Sequence, residues 1–167
     1  MRGDPYGYDE EYVEGGTFIG TVLLMLIGGA IALAAFDAFN NVYLPQAGLP
    51  GLAPVETATE TLGALFGAEY EPYGRYAHYA MGILGYPLAY VILARPLSRM
   101  IWLNVHWWVT GLVFGVVIWA FATFAIPFIV TRQPPVFEFT EASWISLAAH
   151  LVYGFVLAAV MRDGRYV

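Results

Sequence analysis

Residues 17–39 run for twenty-three positions with a single charged side chain, Asp37, and three more blocks of the same kind follow at 74–94, 104–130 and 141–161. Twenty-three residues make a helix of ~35 Å, enough to cross a hydrocarbon layer of ~30 Å with some tilt. A chain with four such blocks has few options. Across the 167 residues, 59% are hydrophobic and only 12% charged, against about 25% charged in an average soluble domain. A domain this size leaves roughly a third of its unfolded surface exposed, so the apolar surplus needs lipid as its solvent. The expected fold is all-α: an integral membrane four-helix bundle over residues 17–167, preceded by an acidic tail at 1–16.

That tail carries Asp4, Asp9, Glu10, Glu11 and Glu14 and no periodic apolar pattern. It lacks the basic start of a secretory leader, so the run after it reads as a retained membrane helix. Glycines at 20, 28 and 29 are ordinary in a membrane helix, where they admit a close neighbour. Asp37 is the one acid inside a span, close to its end and before Asn40 and Asn41. An intramembrane carboxylate is a candidate polar or proton site. The plainer readings are a carboxylate reaching the headgroups or pairing with Arg75.

The connection at 40–73 is broken by Pro45, Pro50 and Pro54. From Pro54, the residues Val55, Ala58, Leu62, Leu65 and Phe66 share one helical face, with Glu56, Thr59 and Glu60 on another. Proline at the first helical position and acids in the first turn suit a helix start. The pattern predicts a short amphipathic helix over 54–66, bedded on protein rather than on anionic lipid because it has no base. Tyr70, Tyr73, Tyr76 and Tyr79 recur every third residue at the entry to the second span, and Trp102, Trp107 and Trp108 cluster at the start of the third. Both groups fit aromatic belts at the two membrane–water boundaries. Pro87 predicts a kink in the second span.

Five of the seven arginines, Arg2, Arg95, Arg99, Arg162 and Arg165, fall on one side of this arrangement; Arg75 and Arg132 fall on the other. The positive-inside rule then places both termini in the cytoplasm and the 40–73 loop outside, in a multi-pass protein of the cell membrane. The formal net charge of −6 disfavours nucleic acid and anionic lipid headgroups, and no nucleic-acid partner is expected.

Histidine occurs three times, and two copies share a frame: Ala77-His78-Tyr79-Ala80-Met81-Gly82 and Ala149-His150-Leu151-Val152-Tyr153-Gly154. The repeat suggests two hairpins of like topology, spans one–two and three–four, related as parallel repeats. Gly82 and Gly154, with Gly111 and Gly115 in a G-x-x-x-G, mark the expected helix-packing faces. Symmetry favours His78 and His150 as axial ligands of a b-type haem. Depth opposes it. His78 lies 17 residues from Arg95 and His150 only 12 from Arg162, a mismatch of ~7 Å at helical rise. The competing reading is packing, with each ring hydrogen-bonded across a helix contact. His106, near the start of the third span, reads as interfacial.

Other chemistry is missing. The chain has no cysteine and three serines, and no H-E-x-x-H, P-loop or G-x-S-x-G motif, so hydrolase and thiol mechanisms have no footing. The run Ala148-Ala149-His150-Leu151-Val152-Tyr153-Gly154-Phe155-Val156-Leu157 resembles the last helix of small YagU-like membrane proteins. Thr110-Gly111-Leu112-Val113-Phe114-Gly115-Val116-Val117-Ile118-Trp119, running to Pro127, is similar to the helix before it. The resemblance covers roughly the second half; it implies four spans and brings no catalytic residues or cofactor. The functional expectation is a non-enzymatic accessory or structural subunit, partnered by the lipid bilayer and by other integral membrane subunits of a respiratory or other energy-transducing complex. The alternatives are a bis-histidine b-type cytochrome and, third, a small-solute or ion carrier centred on Asp37.

Overall fold

The computed structural model describes residues 18–101, 105–131 and 139–162; the acidic tail at 1–16 lies outside them. Four helices are long and apolar enough to cross a membrane: α1 (Phe18–Gln46), α3 (Ala68–Ile101), α4 (Trp107–Ile129) and α5 (Glu141–Val160). The short helix α2 (Pro54–Phe66) lies between the first two. No strand occurs among the described residues.

α1 and α3 are longer than the apolar blocks predict, while α4 and α5 stay within theirs. α1 continues through Asn40 and Asn41 because the turn at Phe39–Tyr43 widens to π-helical geometry. Asn40 faces inward there, its Nδ2 donating to the Phe36 carbonyl at 3.0 Å. α3 begins earlier, in a 3₁₀ turn at Ala68–Tyr73, and runs past Arg95 to Ile101. Pro87 does not break it. Proline clashes with the carbonyl four residues back in a regular α-helix. Here π turns at Met81–Gly85 and Tyr90–Ala94 flank the short segment that holds it, and such turns supply the room a regular helix lacks.

α1 packs on both α3 and α5, and α5 on α4 in the most extensive helix contact of the molecule. The seam between α3 and α4 is narrow and includes the Tyr90 and Phe114 rings, 5.2 Å apart. Glycine sets the α4–α5 distance. A Cβ at Gly115 would lie 2.6 Å from the His150 carbonyl oxygen, and one at Gly111 would lie 2.6 Å from that of Gly154. The core holds Ala32, Leu33, Phe36, Tyr90, Phe114, Ile118, Tyr153, Leu157 and Met161. Outward faces are apolar too: Ile19, Leu23, Ile27 and Ile31 on α1 and Leu84, Leu88 and Ile92 on α3 are exposed. At most 33% of any span's most apolar window is buried within the chain, as expected where lipid covers the remainder.

α2 follows the expected bounds and lies on protein. It packs on the start of α3 and reaches the end of α4. Gly74 makes the first contact possible, since a Cβ there would overlap Thr59. Gly67, at φ 116°, turns the chain out of α2, a conformation that only glycine adopts without strain. α5 opens on Thr140, whose Oγ1 accepts from the Ser143 amide at 3.3 Å, and carries Glu141 in its first turn.

Candidate functional site

His78, His150 and Tyr153 gather around one ring. Phe36 sits one residue before Asp37 on α1, and its centroid is 6.2 Å from that of His78, 5.2 Å from that of His150 and 6.5 Å from that of Tyr153. The two histidines of the repeated frame therefore meet the same side chain, despite the depth mismatch counted from the arginines. Part of the reason is local geometry. Two π turns lie between His78 and Arg95, and each inserts about one residue without helical rise, removing roughly 3 Å of the mismatch. In addition, α3 continues beyond Arg95, so that residue does not mark the end of its span.

His78 Nε2 donates to Asp37 Oδ1 at 3.1 Å, joining α3 to α1 across 41 residues of sequence. A carboxylate only accepts, so the proton on that nitrogen is fixed whatever the charge of the ring. The partner of Asp37 is thus His78 and not Arg75, which lies one turn earlier on the exposed face of α3. His150 makes a different bond. Its Nδ1 donates to the Ser146 carbonyl at 2.7 Å, within its own helix, with the Ser146 hydroxyl at 3.4 Å.

The repeated frame is therefore alike in sequence and unlike in use. Gly82 accommodates the Leu33 side chain, whereas Gly154 presses on the backbone of Gly111 and Gly115. The structure puts Gly111, Gly115 and Gly154 in one contact and Gly82 in another.

Three further groups complete the arrangement. The Tyr153 hydroxyl donates to the Gly82 carbonyl at 2.6 Å, tying α5 to the first π turn of α3, and its ring meets Tyr86 at 5.9 Å. Trp119 Nε1 donates to the Ser143 carbonyl at 3.1 Å, tying α4 to α5. Asn40 is fully buried and its Oδ1 has no hydrogen-bond partner. Phe36, Tyr153 and Trp119 do not stand out in the sequence, although Phe36 adjoins Asp37 and Tyr153 follows His150 by three residues, on the same helical face. His106 precedes α4, where its carbonyl accepts from the Val109 and Thr110 amides; its ring is exposed, 6.3 Å from Trp108.

Beside the Asp37–His78 pair a partly open cavity of about 540 Å³ is lined by Asp37 and Asn41 of α1, Leu52 and Ala53 of the loop, Pro54, Val55, Glu56 and Thr59 of α2, and Tyr79 of α3. α2 forms one wall and the ends of the two spans form the other.

No protein-family model, no curated protein and no solved structure matches the chain. The fold and the arrangement around Phe36 are therefore the basis for a functional reading.

Proposed function

We propose that the chain is a non-catalytic integral membrane protein, an accessory or structural subunit of a larger energy-transducing membrane complex, with both termini cytoplasmic. The observation that carries the reading is the use made of the inward polar side chains. The Tyr153 hydroxyl, the Trp119 indole and the His78 imidazole each bond one helix to another. Groups spent as helix fasteners in apolar surroundings stabilise a scaffold. The faces left over are apolar and belong to lipid or to neighbouring spans.

Purification of the full chain from its native membrane in mild detergent tests this reading. Other integral membrane subunits in fixed ratio, with a colourless polypeptide after separation, support it. A protein that stays alone and monodisperse contradicts it.

The convergence of His78 and His150 on Phe36 favours a second reading, a b-type cytochrome. In that case His78 must release Asp37 or ligate through Nδ1. A Soret band and a sharp α band in the reduced spectrum, lost in His78→Ala and His150→Ala, would replace the first reading with this one. The cavity beside Asp37 favours a third, a small-solute or ion carrier. Flux into proteoliposomes that is unchanged in Asp37→Asn ends it.

A further inference from the structure

We propose that the cavity between α2 and the ends of α1 and α3 binds a small organic ammonium ion. The inference concerns binding alone and holds whether or not the chain works inside a larger assembly. The cavity, at about 540 Å³, is within the range of small-molecule sites. Its walls come from four pieces of chain that the sequence keeps apart, and they differ in chemistry.

Each wall carries an acid. Asp37 faces the cavity from α1, and Glu56 from the first turn of α2. His78 engages only Oδ1 of Asp37, which leaves Oδ2 as an acceptor. Among the described residues neither carboxylate has an Arg partner, and no Arg lines the cavity. His78, the nearest cationic candidate, lies behind Asp37 rather than in the lining. An anionic ligand would meet two carboxylates at short range and is excluded. A neutral apolar ligand would cover both carboxylates without satisfying either, at the cost of their desolvation.

The rest of the lining chooses between kinds of cation. Leu52, Pro54 and Val55 are apolar, and Tyr79 contributes an aromatic ring. Such a surface is poor for a hydrated metal ion, and no group of three His, Asp or Glu side chains among the described residues is close enough to hold one. An ammonium group on a short apolar or aromatic body fits both walls. Its N–H groups reach Asp37 and Glu56, its body lies on Leu52, Pro54 and Val55, and its charge gains from the face of Tyr79. Asn41 offers a further polar contact, whereas the Thr59 hydroxyl already donates to the Val55 carbonyl at 2.9 Å.

The test is calorimetric titration of the purified full chain in detergent at neutral pH, with blank titrations into empty micelles. Phenethylammonium is the probe and 2-phenylethanol its uncharged counterpart. Saturable binding of the amine, with none of the alcohol, is the expected result. Glu56→Gln and Asp37→Asn should each weaken the amine about tenfold, the scale of one charge-assisted hydrogen bond. Glu56 is exposed on α2, so its variant reads the site even if the Asp37 variant folds poorly. Failure of the amine to bind overturns the proposal. So does equal binding of the alcohol, or an affinity for the amine that Glu56→Gln leaves unchanged. Calcium binding that displaces the amine at equal concentration would overturn the choice of an organic cation.

Discussion

At the scale of single residues, the molecule is organised by a few polar side chains whose partners lie far away in sequence. Tyr153 is the clearest. Its hydroxyl serves a carbonyl inside a π turn, where the regular helical partner has shifted register. Tyr153→Phe keeps the ring contacts and removes only that bond. The expected loss is about 1 kcal/mol of unfolding free energy, the upper part of the range for hydrogen bonds between membrane helices, measurable by denaturant titration in mixed micelles. Phe at this position leaving stability unchanged would mean that the bond contributes nothing. Asp37 and His78 are each visible in the sequence as the odd polar residue in an apolar block. Their pairing is not, because the two lie 41 residues apart on different helices and nothing local in the sequence joins them. The alternative partner, Arg75, is nearer the membrane boundary and carries a full charge, so charge alone selects the wrong residue. Phe36 has no sequence mark at all: it is one of eleven phenylalanines, and only packing makes it the place where both histidines meet.

At the scale of elements, the span bounds show where sequence reasoning succeeds and where it stops. The core of every span and the whole of α2 are legible, because hydropathy and an amphipathic period after Pro54 report directly on burial. The span ends are not. Asn40 and Asn41 look like a boundary, yet Asn40 bonds back to the Phe36 carbonyl and the helix continues. The glycines divide in a way that the small-residue rule does not foresee. A methyl at Gly115 meets backbone of α5, which cannot move independently, whereas a methyl at Gly82 meets the end of the Leu33 side chain, which can turn aside. Gly115→Ala should therefore cost about 1–3 kcal/mol, the usual penalty for overpacking, and Gly82→Ala clearly less; thermal unfolding of the two variants side by side decides it. An equal loss in both would remove the distinction. The start of α5 offers a separate check. Thr140→Ala deletes the oxygen that receives the Ser143 amide and should cost about 1 kcal/mol, with Thr140→Ser restoring it in the same unfolding assay.

At the scale of the whole molecule, four apolar helices enclose a modest core and leave most of their apolar surface exposed, which is compatible with a lipid surround. The duplicated histidine frame points to two like hairpins, yet its two copies have different environments, one bonded across helices and the other within its own. Gly111 and Gly115 of the G-x-x-x-G on α4 lie against the backbone of α5 around Gly154. The account as a whole rests on alternate crossing of the bilayer, and the absence of cysteine from the sequence makes that directly measurable. Single cysteines at Glu60 on α2, at His106 before α4 and at Glu141 at the start of α5 report the three connections in turn. In sealed, right-side-out vesicles treated with a membrane-impermeant maleimide, Glu60→Cys and Glu141→Cys should label at once, and His106→Cys only after permeabilisation. Labelling of all three from the same side would contradict the four-span arrangement.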